Sequence, residues 1–417
     1  MALETAPGRP AGPPLPRRAA ALLGPAFVAA IAYVDPGNVA ANLTAGARYG
    51  YLLLWVLVAA NAMAVLVQYL SAKLGVVTGR SLPELLGERL GTGKRRLFWG
   101  QAEVVAMATD LAEVIGGAIA LNLLFDLPLL IGGLVVGVIS TAMLSVQTRR
   151  GQRPFEGVIV TLLVVIAVGF LAGLFVSPVD PGEALAGIVP RFDGTETVLL
   201  AASMLGATVM PHAIYLHSAL ARDRHGVQDD PGVVRRLLRA TRWDVAGALV
   251  VAGAVNIAML LVAAASLRGV AGTDTIEGAH AAITAALGAG IGIVFAIGLL
   301  ASGLASTSVG CYAGAAIMGG LLHLRVPLLL RRVVTLVPAL VVLGLGGEPT
   351  TALVLSQVVL SLGIPFALVP LVRLTGDRAL MGEFANPAAV RVVAWTVVAL
   401  IVALNVALIV LTVAGSG

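Results

Sequence analysis

Apolar residues run through this chain in stretches far longer than a globular helix or strand needs, and polar residues gather in the short gaps between them. A helix spans a bilayer with about 20 such residues. Stretches of this kind fall at 20–46, 51–73, 98–124, 129–147, 155–176, 198–221, 243–266, 281–320, 326–346, 350–373 and 389–413. They predict eleven membrane helices. A β-barrel would instead alternate apolar and polar residues over short strands. The eighth stretch is too long for one untilted span, so a projection or an irregular turn around Ala301–Gly303 is expected. The first and sixth stretches are interrupted by proline, at Asp35-Pro36-Gly37 and at Met210-Pro211. Proline removes a helical donor and frees carbonyls, which lipid tolerates only beside a cavity or binding site.

Composition supports a polytopic all-α membrane protein. The chain is 59% hydrophobic and 12% charged, against about 25% charge in soluble domains. One cysteine, Cys311, excludes an intrachain disulfide and a cysteine-only metal cluster. The net charge of +5 follows membrane topology and is no sign of nucleic-acid binding. With alternating spans, every Lys and Arg except Arg48, Arg191 and Arg268 falls on one side. That side is predicted to be cytoplasmic, with the amino terminus inside and the carboxyl terminus outside. Residues 1–19, rich in Pro and Gly, read as a disordered tail, and no cleavable signal peptide is expected. Spans one to five (20–176) and six to ten (198–374) form two sets. An odd number per set gives them opposite orientations, and each opens with a broken helix. This is the mark of an inverted-repeat transporter. Residues 389–413 form an additional eleventh helix.

The chemistry concentrates at the breaks. Asp35 in an apolar stretch is costly unless it has a partner or a task. Together with Asn38 and freed carbonyls it makes a set suited to a cation. Met210 adds a thioether, and carbonyls around Ala207 and Thr208 are freed by Pro211. Oxygen alone suits Mg²⁺ and Ca²⁺; added sulfur favours transition metals. A packing role for Met210 is the competing reading. Asp110 and Glu113 share a face of the third span, and Glu103 lies on roughly the same face. Two carboxylates in one membrane helix suggest a proton relay, with a structural ion-pair network as the competing reading; His212 can titrate near neutrality, and Arg331 and Arg332 enter the ninth span from the inner side. His217 faces elsewhere, and His225, His280 and His323 read as non-ligands. Asn61, Gln68, Gln101, Asn122 and Asn256 read as helix–helix hydrogen bonders. No nucleotide-binding loop, zinc-protease or acyl-transfer motif is present, which argues against an ATP-driven pump built from this chain alone, and no enzyme activity is expected.

Asp35-Pro36-Gly37-Asn38 and Met210-Pro211-His212, at this separation and topology, resemble the Nramp family of divalent-metal transporters. The third-span run Ala106–Glu113 and Ser356-Gln357 in the tenth span are also similar to it. The resemblance covers about residues 20–413. It implies a LeuT-like fold and import of Mn²⁺ or Fe²⁺ with protons, Cd²⁺ and Co²⁺ being plausible further substrates. It implies metal binding through the Asp35, Asn38 and Met210 side chains and the Ala32 and Ala207 carbonyls, with Gln357 joining in some conformations. It further implies an inward proton route with His212 and Glu113 near its entrance. The expected partners are divalent metal ions, protons and membrane lipid, in a bacterial-type inner (plasma) membrane. No cofactor, nucleic acid or obligate protein partner is expected. Rival readings are transport of another divalent ion such as Mg²⁺, an amino-acid symporter of the same fold, and a non-transporting sensor or scaffold.

Overall fold

The computed structural model describes residues 24–273, 275–324 and 326–415. The expected tail at 1–19, the start of the first stretch and Arg325 lie outside these residues. The described chain is a helical bundle. The first apolar stretch folds as α1 (Pro25–Ala30), a 3-10 turn (Ile31–Val34) and α2 (Pro36–Tyr49). Then come α3 (Leu54–Thr78), α4 (Leu82–Arg89), α5 (Thr92–Phe125), α6 (Leu129–Arg150) and α7 (Gln152–Leu171). The sixth stretch is again two helices, α9 (Gly194–Thr208) and α10 (Pro211–His225), preceded by the short α8 (Pro181–Ala186). The rest is α11 (Pro231–Ser266), α12 (Ile276–Leu287), α13 (Ala289–Leu322), α14 (Leu328–Gly344), α15 (Pro349–Gly376), α16 (Arg378–Met381) and α17 (Ala388–Gly415).

Among the described residues nine segments are long and apolar enough to cross a membrane, α9 and α10 counting as one. Of the other two predicted spans, the first is divided at Asp35 and the ninth is the 17-residue α14. Burial ranks the elements. In the α9–α10 segment 83% of the apolar window is buried, against 28% in α17. Helices α6, α14 and α17 instead expose Val138, Val333, Val341 and Val392, as lipid-facing helices do. The broken helices are therefore the axis of the bundle, and α17 lies at its periphery.

Three expectations need correction. The long eighth stretch is irregular at Gly288, not at Ala301–Gly303. Gly288 takes φ +95°, a left-handed value that favours glycine, and it separates α12 from α13. Gly303 sits in regular helix. A Cβ there would lie 2.8 Å from the Glu113 carbonyl, so its smallness lets α13 pack closely on α5. Second, the segment after α3 contains a helix that the pattern of long apolar stretches missed. In α4 the Ser81 side chain accepts from the Glu84 N–H while Glu84 accepts from the Ser81 N–H, a capping box with Pro83 in the first turn. Third, α5 and α11 start earlier than expected, at Thr92 and Pro231, carrying Lys94–Arg96 and Arg235–Arg239 on helical turns.

The start of α1 lacks a local cap, and a distant residue supplies one. Asp244 of α11 accepts from the N–H groups of Gly24 and Ala26, both at 3.0 Å. A carboxylate at a helix amino terminus satisfies orphan donors and complements the helix dipole.

Candidate metal centre

In an α-helix each N–H serves the carbonyl four residues earlier. Pro36 and Pro211 have no N–H. The carbonyls deprived of their α-helical donors are therefore those of Ala32 and Ala207. Backbone torsions show where the chain opens. Asp35 is extended (φ −72°, ψ 166°), as is Met210 (φ −78°, ψ 126°), and each precedes a proline in the first turn of the next helix. The carboxyl ends of the 3-10 turn and of α9 thus face the breaks, and such ends carry partial negative charge.

The two breaks touch through one side chain. Asn38 Nδ2 donates to Asp35 Oδ1 at 2.6 Å and to the Ala207 carbonyl at 2.8 Å. Asp35 Oδ1 also accepts from the Asn38 N–H at 2.8 Å, capping α2. Two acceptors face the Asn38 nitrogen, so the network fixes the orientation of its amide. That leaves Asp35 Oδ2 and Asn38 Oδ1 buried with no hydrogen-bond partner. Gln357 of α15 approaches the same place. A Cβ on Gly37 would fall 1.7 Å from Gln357 Nε2 and 3.2 Å from Asp35 Oδ2, so only glycine leaves room for this amide. Gln357 Nε2 reaches the Ser356 hydroxyl at 3.3 Å, and Gln357 Oε1 is a third buried acceptor without a donor. Met210 is fully buried at the second break.

This is a set of acceptors short of positive partners. Burying such groups unpaired is costly, and a cation is the partner that satisfies several at once. Among the described residues no group of three His, Cys, Asp or Glu could hold a metal ion. The donor set at the breaks is therefore one carboxylate, amides, carbonyls and a thioether, with a single formal charge.

Other freed carbonyls at the first break are already occupied. Ser302 of α13 donates to Val34 at 2.6 Å, Asn256 of α11 to Tyr33 at 2.7 Å, and Ser306 to Ile31 at 3.4 Å. Ser302 and Ser306 were missed in the sequence. The only signal for Ser306 is a run of hydroxyl residues, Ser306-Thr307-Ser308, in an otherwise apolar helix.

The carboxylates of α5 divide sharply. Asp110 pairs with Arg332 of α14 at 2.5 Å and also accepts from Thr307, while Arg332 Nε donates to Ser140 at 3.1 Å. Glu103 pairs with Arg331 at 3.0 Å. These two ion pairs join α5 to α14. Glu113 is fully buried and neither carboxylate oxygen has a partner; both ring nitrogens of His212 are likewise buried without one. The structure thus sets Glu113 and His212 apart from the paired groups. His217 does face elsewhere, its Nδ1 donating at 2.7 Å to the Gln68 side-chain oxygen, while the Gln68 amide nitrogen donates to the Tyr33 hydroxyl at 2.6 Å. Asn256 and Gln68 act between helices as expected. Asn122 instead donates to the Leu127 carbonyl just past its own helix, and neither amide atom of Gln101 has a partner.

Comparison with known proteins places this arrangement. The model of the family described as natural resistance-associated macrophage protein-like, Nramp, matches residues 26–411. The chain is 64% identical to a divalent metal cation transporter, MntH, of Mycobacterium tuberculosis over 394 residues, covering 94% of this chain and 92% of that one. Among solved structures, a manganese transporter of Eremococcus coleocola superposes with a TM-score of 0.86 at 32% identity, covering 94% of this chain and 87% of that one. Mhp1, a nucleobase-cation-symport-1 family transporter in a closed conformation, matches with a TM-score of 0.58 at 17% identity, covering 93% and 91%. That last likeness concerns the fold alone.

Proposed function

This chain belongs to the Nramp family, and on that premise we propose that it is a secondary importer of Mn²⁺, and of Fe²⁺, driven by protons through alternating access. The observation that carries the reading is the cluster of unpartnered acceptors where the two breaks meet: Asp35, Asn38 and Gln357, beside the Ala207 carbonyl. The family relatives are named for divalent metal cations, and the Eremococcus structure for manganese. In our reading the metal takes Asp35 Oδ2, the Asn38 and Gln357 oxygens, the Ala32 and Ala207 carbonyls and the Met210 sulfur. To open the Ala207 carbonyl, the Asn38 amide turns its nitrogen away and presents its oxygen. The low formal charge of the set suits a cargo that has to leave again. A cage of several carboxylates would hold Mg²⁺ or Ca²⁺ better and release it less readily. The thioether tilts preference toward softer metals.

Asp35 is also the leading proton acceptor, because an arriving cation favours release of a carboxylate's proton. Glu113 and His212 receive protons next, and the pairs Asp110–Arg332 and Glu103–Arg331 mark the inward route along α5 and α14. Spans in 20–176 and 198–374 act as oppositely oriented sets, with 389–413 outside them. The arginine-rich side faces the cytoplasm of a bacterial-type inner membrane.

The deciding experiment uses sealed proteoliposomes with an outward Mn²⁺ supply and a luminal pH dye. Mn²⁺ uptake should acidify the lumen, and Cd²⁺ should compete far better than Mg²⁺. The advantage of Cd²⁺ should shrink in Met210→Ala. Uptake without luminal acidification would remove proton coupling, and equal competition by Cd²⁺ and Mg²⁺ would remove the soft-metal assignment.

A further inference from the structure

Helix α11 has 36 residues. At 1.5 Å each it is about 54 Å long, against about 30 Å of hydrocarbon in a bilayer. Counting about 20 residues back from Ser266 reaches Ala246, so the turns before Ala246 stand outside the hydrocarbon. Those turns carry Arg235, Arg236, Arg239 and Arg242, and then Trp243. The positive-inside rule accounts for the sign of these charges but not for their arrangement. Residues three and four apart share a helix face, so Arg236, Arg239, Trp243, Gly247 and Val250 line one side of α11. All five are exposed, Trp243 by 74% and Val250 by 64%. Along the helix this face passes from cation to amphipathic ring to apolar residues. A bilayer passes in the same order from headgroup to interface to acyl chain.

The neighbouring cations are spent and these two are not. Arg235 pairs with Glu383 at 2.6 Å. Arg242 donates to the Tyr69 hydroxyl at 3.2 Å and lies 5.3 Å over its ring. Buried Lys73 donates to Asn386 at 2.7 Å. Among the described residues Arg236 and Arg239 make no ion pair. Of the carboxylates flanking them in the chain, Asp230 accepts from the Gly232 N–H at 2.8 Å and Asp244 holds the start of α1. Asp229, just before the helix, pairs with no arginine. Even with Asp229, Asp230, Asp244 and Glu383 all counted against them, Lys73 and the four arginines leave positive charge in excess. The face also borders the first broken helix. A Cβ on Gly247 would lie 3.8 Å from the Phe27 ring of α1, and Phe27 is part-exposed there.

We propose that this face of α11 binds an anionic phospholipid, its headgroup on Arg236 and Arg239 and an acyl chain running past Trp243 and Gly247 to Phe27. The planar fork of arginine matches phosphate oxygens two at a time. Basic clusters at the end of a membrane helix favour anionic headgroups, by roughly fivefold per charge. A lipid seated this way touches α1 as well as α11, and so contacts one half of a broken helix from outside the bundle. The site does not depend on the identity of the transported ion.

The test follows lipid retention by native mass spectrometry, with the full chain purified in detergent and offered equimolar phosphatidylglycerol and phosphatidylcholine. Wild type should retain phosphatidylglycerol in preference. Arg236→Gln/Arg239→Gln should retain it roughly tenfold less. Arg150→Gln/Arg153→Gln removes the same charge from the exposed turn between α6 and α7 and should retain it as wild type does. Equal retention by wild type and the α11 variant overturns the proposal. Equal losses in both double variants overturn it too, because they reduce the effect to general charge attraction. A folded wild type that prefers neither lipid does the same. If the α11 double variant does not fold, Arg236→Gln alone, at an exposed position, takes its place, with a loss of roughly threefold expected.

Discussion

Asp110 and Asp35 are both buried carboxylates of one bundle, yet their surroundings are opposite. Asp110 is met by a guanidinium and a hydroxyl; Asp35 meets no cation and is held by uncharged donors alone, two of them from Asn38 on one oxygen. The first arrangement is complete without a ligand. The second lacks a positive partner, a place our reading gives to the metal. The difference separates a charge that holds helices together from one that, in our reading, takes the cargo, a distinction that burial alone does not make.

Mutation should separate the two most strongly through the paired site. Arg332→Met leaves Asp110 buried and uncompensated, which should cost about 3–5 kcal/mol of stability. Adding Asp110→Leu should recover much of that loss, and a thermal-melting comparison of the three variants would show it. A single variant melting like wild type would mean the pair holds nothing. Next in size, Asp35→Asn should weaken Mn²⁺ binding by roughly 100-fold, about 2.8 kcal/mol. Its melting temperature should stay level or rise, because an unpaired buried charge has been removed. Calorimetry and melting on the same sample check both halves; near-normal affinity would sink the assignment. Smallest is Glu113→Gln, which should change Mn²⁺ affinity by less than about twofold, about 0.4 kcal/mol. Its effect should appear in protons moved per metal, followed by simultaneous metal and pH flux. An unchanged ratio would return Glu113 to a purely structural place.

Much of this contrast was legible in the sequence because it is local. A proline in an apolar stretch names its own break, and the carbonyl it deprives lies four residues upstream. Asp35, Asn38 and Met210 sit within three residues of those prolines. The partners were less visible because they come from distant helices. Nothing in Ser302 or Asn256 announces that it caps Val34 or Tyr33, and nothing in Asp244 announces that it caps α1. The pairing of Asp110 with Arg332 and of Glu103 with Arg331, rather than the reverse, depends on how α14 is rotated against α5. Helix α4 escaped for a different reason: its Ser81–Glu84 box is local, but an eight-residue helix is hidden when attention follows membrane-length stretches. The turn placed at Ala301–Gly303 was misjudged because a glycine in an apolar helix signals flexibility and close packing equally well.

The Asn38 amide has a consequence for idling. One NH₂ group holds both the Asp35 carboxylate and the Ala207 carbonyl, so the two half-repeats are fastened at their centre by a bolt that the cargo itself must draw. A carrier that could swing freely while empty, with Asp35 exchanging its proton at each face, would let the proton gradient run down for nothing. With the bolt in place, parting the two breaks while empty has to break the buried Asn38–Ala207 hydrogen bond without compensation, whereas in our reading the metal replaces it as it enters. In our reading a single side chain thereby separates leak from loading, and the tightness of the energy coupling is set by how well one asparagine fits between two helix breaks.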